Sequence, residues 1–245
     1  MSPNFCSFPS ELRNKIYELL LLHQEPIDPW VGYNRQKLTP GLFRANKIVH
    51  REASSLFYTQ NRFNFTMHTP ENVASFLEQI GRNNADYIRH ICIDFPNFLY
   101  LDPGNVTLED NSVRILAKIR TECAKLTTLT TSLYSTNAME LRLDALDHPK
   151  IVGEALKLVD TLFRAISSVQ EIIVEVYEDS PNDHIRREMK SHGWTINAIE
   201  YVEEFGSDIS FGDTEDYDYR YDDGDYDDEE YDIDNDSDFW RRAAD

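Results

Sequence analysis

FPSELRNKIYELLLL, residues 8–22, reads as an amphipathic helix with one charge out of place. At 100° per residue, Leu19, Leu12, Ile16, Leu20 and Tyr17 fall consecutively around one apolar arc, with Glu11, Asn14, Lys15 and Glu18 opposite. Pro9 suits a first turn that needs no donor, Ser10 is an alternative N-cap, and Phe8 can fold back as a hydrophobic staple. Arg13 interrupts the arc between Leu20 and Tyr17. A guanidinium there calls for a partner, because a charge buried without one is strongly destabilising.

The partner is sought in a second helix, expected from about residue 41 to residue 60 and opened by Thr39-Pro40-Gly41. Its apolar arc takes in Ile48, Ala45, Leu56, Val49, Leu42, Ala53 and Phe57, and again one ion intrudes, Glu52. Two helices that each carry one opposite charge in the buried face predict an Arg13–Glu52 ion pair across them.

Both segments also carry a resemblance. FPSELRNKIYELLLL is similar to the L-P-x-E-L-R-x-x-I-Y-x-x-L-L opening of fungal F-box-like proteins. LFRANKIVHREASSLFYTQNRFNF resembles that group's second signature, in which a basic helix leads into E-A-x-x-x-F-Y-x-x-N-x-F. The matching positions are Glu52, Ala53, Phe57, Tyr58, Asn61 and Phe63, with Tyr17 in the first motif. The resemblance covers roughly the first 95 residues. It implies a first helix that docks, through Phe8, Pro9, Leu12, Ile16, Leu19 and Leu20, on a Skp-type adaptor of a cullin ubiquitin ligase; the alternative is a stand-alone scaffold whose first two helices are purely structural, with that arc packed inside, and whose acidic tail contacts basic partners. Residues 23–38 form a longer insertion than a compact F-box carries, and no Trp stands in the second helix.

Beyond the helix pair, residues 62–66 alternate as a short strand, and Asn61 is expected to cap the helix before it in the left-handed conformation. In the insertion, Trp30 is either an exposed binding tip with Tyr33 or a ring packed over the helix pair. A helix opened by Thr69 and closed by Gly81 follows, then a strand at 87–95 and a loop at 96–108. Helices at 109–124 and 148–167 alternate with strands at 126–134 and 171–177; a short helix at 181–191 and a strand at 194–203 end the pattern. Helix-length insertions of this size suit right-handed crossovers into a mostly parallel sheet. The fold expected is thus α/β (or α+β), with F-box-like helices packed on the sheet. A degenerate repeat stays open, since no fixed leucine period is met. The division expected is 1–66, 67–206 as an α/β body packed on it, and 207–245 as a tail.

That tail, 208–245, holds 17 acidic residues and 3 Arg, so it carries −14 of the chain's −20. Dense like charge with few aliphatics predicts disorder. Its role is either an acidic arm for basic partners, a solvating tail, or a brush over the protein's own basic patch. Asp232-Ile-Asp234-Asn-Asp236 opens like a calcium loop, but Ser237 and Ala243 stand where that loop needs glycine and glutamate.

No glycine-rich phosphate loop, nucleophile elbow or H-E-x-x-H spacing occurs, and His90 beside Cys92 is too small a set for a metal. Neither catalysis nor a cofactor is expected. Nucleic-acid binding is not expected either, because Lys and Arg form no run and the tail repels phosphate. Cys6, Cys92 and Cys123 are odd in number and lack C-x-x-C spacing, which with the absence of an 18-residue apolar run predicts a reducing, intracellular setting without a membrane span.

Overall fold

The computed structural model describes residues 5–31, 40–146, 148–178 and 183–200. The expected disorder of the tail and the calcium-like run therefore lie outside the described residues, as do Thr39 as a cap and Tyr33.

Helix α1 spans Ser10–Leu21. The second helix is broken in two: α2, Pro40–Phe43, and α3, Lys47–Gln60. Asn46 causes the restart, since its extended backbone and its side-chain oxygen, accepting from the amides of Ile48 and Val49, make it an N-cap inside the run expected to be continuous. Strand β1, Arg62–Asn64, follows at once; Asn61 is extended (φ −87°, ψ 156°), not left-handed as expected, because it feeds directly into that strand. Then come α4 (Pro70–Ala85), β2 (His90–Ile93), β3 (Phe98–Asp102), β4 (Asn105–Leu108), α5 (Asp110–Glu122), β5 (Thr128–Thr131), α6 (Leu133–Asp144), α7 (Pro149–Arg164), β6 (Glu171–Tyr177), α8 (Asp183–Ser191) and β7 (Thr195–Ile199).

Three local expectations change. Residues 96–108 are not a plain loop but hold the β3–β4 hairpin, turned at Gly104 with φ +76°. The strand expected to run to residue 134 stops at Thr131, where Ser132 caps α6 by accepting from the Ser135 amide. Gly81, non-helical at φ 75° and ψ 160°, closes the first helical stretch of α4 as expected, and the change is that a second stretch runs on to Ala85.

The main sheet runs β1-β2-β5-β6-β7, every pair parallel. Its strands lie side by side in chain order. Helix α6 packs against β6, and the helices α4, α5, α7 and α8 pack in succession along the sheet. The rows facing them are apolar: Phe63, Ile91, Leu129 and Ile172 lie abreast and are buried. The alternate row is Asn64, Cys92, Thr130, Ile173 and Thr195, flanked by Arg62, His90, Thr128 and Glu171. A parallel sheet normally has both faces covered and reads apolar on both; here one face is polar. Strand starts at 62, 90, 128, 171 and 195 keep no fixed period, so the stacking is solenoid-like without a sequence repeat.

One continuous core runs from Tyr17 to Trp194, which joins the expected first unit to the body. Its N-terminal end is aromatic: Phe63 lies 5.6 Å from Tyr58 (stacked), 5.8 Å from Phe57 and 6.1 Å from Phe76.

Candidate functional site

Helices α1 and α3 run side by side in the same direction, tied at three levels. Near the start, Asn46 Nδ2 donates to Cys6 Sγ at 3.3 Å. In the middle, Arg13 grips Glu52 with two parallel bonds, Nε to Oε2 at 2.9 Å and Nη2 to Oε1 at 2.6 Å. At the end, Asn61 Nδ2 donates to the carbonyls of Leu21 (2.8 Å) and Phe57 (2.9 Å), while its Oδ1 accepts the His23 amide at 2.8 Å. That last set satisfies the open carbonyl end of α1. The insertion can return because Ile27 pairs in parallel with Phe63 at the sheet edge.

The clasp has a third member. Tyr17 Oη donates to Glu52 Oε2 at 3.1 Å, and Arg13 Nη1 reaches the Phe8 carbonyl at 2.5 Å. The paired guanidinium holds the Glu52 carboxyl below the usual carboxylate range. Burial first, then the bond to Glu52, pushes the Tyr17 phenol up to about 12. The Arg13 side chain keeps only 11 % of its exposure.

The buried face of α1 is therefore Arg13, Tyr17 and Leu21, not the leucine-rich arc expected to pack. Leu12 is 53 % exposed, Leu19 84 % and Leu20 41 %; Phe8 is exposed and Ile16 half-buried. The reason is angular. Positions 13, 17 and 21 form one stripe and 12, 16, 19 and 20 the neighbouring one, and a single contacting helix covers only one of them. Pro9 sits at the N-cap without a side-chain bond, leaving Ser10 as the first helical residue. On α3, Ile48 of the expected apolar arc is likewise exposed. Ala53, Phe57, Tyr58, Asn61 and Phe63 are all buried. Five of the family-like positions are thus packing residues, and the docking candidates Phe8, Leu12, Leu19 and Leu20 lie on the surface. Trp30 is a packed ring rather than an exposed tip, yet it lies on Phe65, His68 and Phe76, and not over the helix pair.

Two other surfaces stand out; of these the sequence reading pairs His90 with Cys92 and names a basic patch without its residues. The first is the polar sheet face, where His90 Nε2 lies 2.8 Å from Thr130 Oγ1. Burial, with Arg62 nearby, lowers the His90 imidazole to about 4, and burial pushes the Cys92 thiol up to about 12. Among the described residues no group of three or more His, Cys, Asp or Glu could hold a metal ion, and no helix is long and apolar enough to cross a membrane. The second is a groove of about 740 Å³ between α3 and the turn after α4. The sequence signal for it is the spaced cations Arg44, Lys47 and Arg51, which only folding sets beside Lys125.

Comparison with protein-family models, with curated proteins and with solved structures returned no match to this chain.

Proposed function

We propose that this protein is a non-enzymatic interaction module, an F-box-like substrate receptor whose α1 docks on a Skp-type adaptor of a cullin ubiquitin ligase. The observation that carries the reading is the exposed apolar stripe Leu12–Ile16–Leu19–Leu20, continued by Phe8. A contiguous apolar patch on a rigidly held helix is the form a helix-in-groove contact takes. The clasp behind it favours the same role, since Arg13, Tyr17 and Glu52 fix the helix without using its leucines. Pre-organisation of that kind lowers the entropic cost of association. The accessible residues of the polar sheet face, Arg62, His90, Thr128 and Glu171, then border the substrate-facing surface. Strands in chain order create no topological switch point, the place where open α/β sheets form a ligand crevice, which favours a surface over a small-molecule pocket.

Co-expression with a Skp-type adaptor tests the reading. Wild type co-purifies with it, and the Leu12→Asp/Ile16→Asp double variant, folded by circular dichroism, does not. Folded wild type that fails to bind the adaptor refutes it.

A further inference from the structure

We propose that the groove between α3 and the α4–β2 turn is a binding site for an acidic, tyrosine-bearing peptide segment, and that its occupant is this chain's own residues 213–238. Among the described residues, Arg44, Lys47, Arg51 and Lys125 line it against one carboxylate, Asp86. This is a local excess of positive charge on a chain of net charge −20. Lys47, Arg51 and Lys125 are exposed and make no ion pair with a described residue, and the nearby carboxylates Glu52 and Glu122 are engaged by Arg13 and Lys118.

A second observation points independently to a ligand. Ser54, on the α3 side, is 2 % exposed and its hydroxyl has no hydrogen-bond partner. A buried donor left unsatisfied is costly, and a turn of the Ser54 side chain toward the groove it lines would let an entering carboxylate or backbone carbonyl accept from it. His50 lines the same space, its Nδ1 2.9 Å from the Phe43 carbonyl. Phe43 and Tyr87 add ring surface to the wall.

The occupant follows from charge and reach. Residues 213–238 carry Tyr217, Tyr219, Tyr221, Tyr226 and Tyr231 between carboxylates, which matches cations interleaved with rings. The groove lies by the turns that precede β2 and β5, while Glu200 follows β7 two strands beyond β5. Strands about 4.8 Å apart make the sheet roughly 20 Å wide, crossing to the opposite strand ends adds roughly 17 Å, and the 13 residues from Glu200 to Asp213 span up to ~45 Å.

Zero-length carbodiimide coupling of the full chain, mapped by mass spectrometry, tests this. Amides between Lys47 or Lys125 and carboxylates of 213–238 should dominate over those at exposed Lys150, Lys157 and Lys190, and should vanish in high salt. In full-length Lys125→Glu, a change outside both helices, coupling at Lys47 should fall several-fold while circular dichroism stays unchanged. Coupling spread evenly over all lysines, an unchanged Lys47 yield in that variant, or light–heavy links at the full statistical proportion in a mixture of isotopically light and heavy chains would each overturn the proposal. Loss of adaptor binding would leave it untouched, because the groove is not the α1 stripe.

Discussion

Glu52 accepts from Arg13 through both of its oxygens, at 2.6 and 2.9 Å, and that one carboxylate decides which face of α1 is inside. Apolarity alone would have turned the helix by about one residue step, putting the leucines in and the arginine out. An arginine that meets a carboxylate in a two-point fork is fixed in direction as well as position, so the hydrophobic stripe yields to it.

Removing one side of the clasp should hurt more than removing both. Arg13→Met and Glu52→Leu are each expected to lower the melting temperature, and the double variant should lose less than the sum. Thermal denaturation of the four proteins closes the cycle. Because the folded Glu52 carboxyl titrates below its ordinary value, the stability it supplies is present above the usual carboxylate range. It is lost as pH falls through that range, so the penalty of Glu52→Gln should shrink under acid.

His90 gives a second pH dependence of the same sign at higher pH. Its folded imidazole is lowered to about 4 from 6.5, so the unfolded chain binds the proton first as pH falls. Stability is complete above about pH 6.5 and declines toward pH 4. Between pH 7 and 5 wild type should lose on the order of 1 kcal/mol that His90→Gln, which keeps a partner for Thr130, does not. Urea melts at the two pH values check it.

Much of this fold was legible. The helix pair, the mostly parallel sheet and the limits of β6, residues 171–177, follow from periodicity and the lengths of the connections. What escaped has physical causes. α6 follows β5 after one residue, so its start was absorbed into the strand. Asn46 sits inside an apolar period and breaks it by capping, which a wheel does not register. The basic groove was illegible because Lys125 is far in sequence from residues 44–51. Ser54 looked like an ordinary helical serine; only its burial makes the hydroxyl notable.

Core and stripe should separate cleanly on truncation. Phe63→Ala removes the centre of the aromatic cluster and should cost about 3–5 kcal/mol, whereas Leu19→Ala should change stability by less than about 0.5 kcal/mol. Asn61→Ala, which strands the Leu21 carbonyl and the His23 amide, should fall between at about 1–3 kcal/mol. Chemical denaturation ranks the three.

Thiol chemistry reports on the same packing. Cys92 and Cys123 are buried and burial pushes both thiols up to about 12, while Cys6 is half-exposed beside Asn46. Native alkylation at neutral pH should label Cys6 first, and the other two only on unfolding; mass spectrometry reads the order.

We propose that α1 is held from behind by Arg13, Tyr17 and Glu52 so that its leucines are free to meet a partner. Hydrogen–deuterium exchange of the full chain with and without a Skp-type adaptor tests it most directly. Added protection concentrated on residues 8–22, with the Leu19→Asp variant losing it and binding at least ~10-fold more weakly, is the predicted result. Binding whose protection falls elsewhere and ignores Leu19→Asp, or no protection at all on α1 of the folded protein, would contradict it.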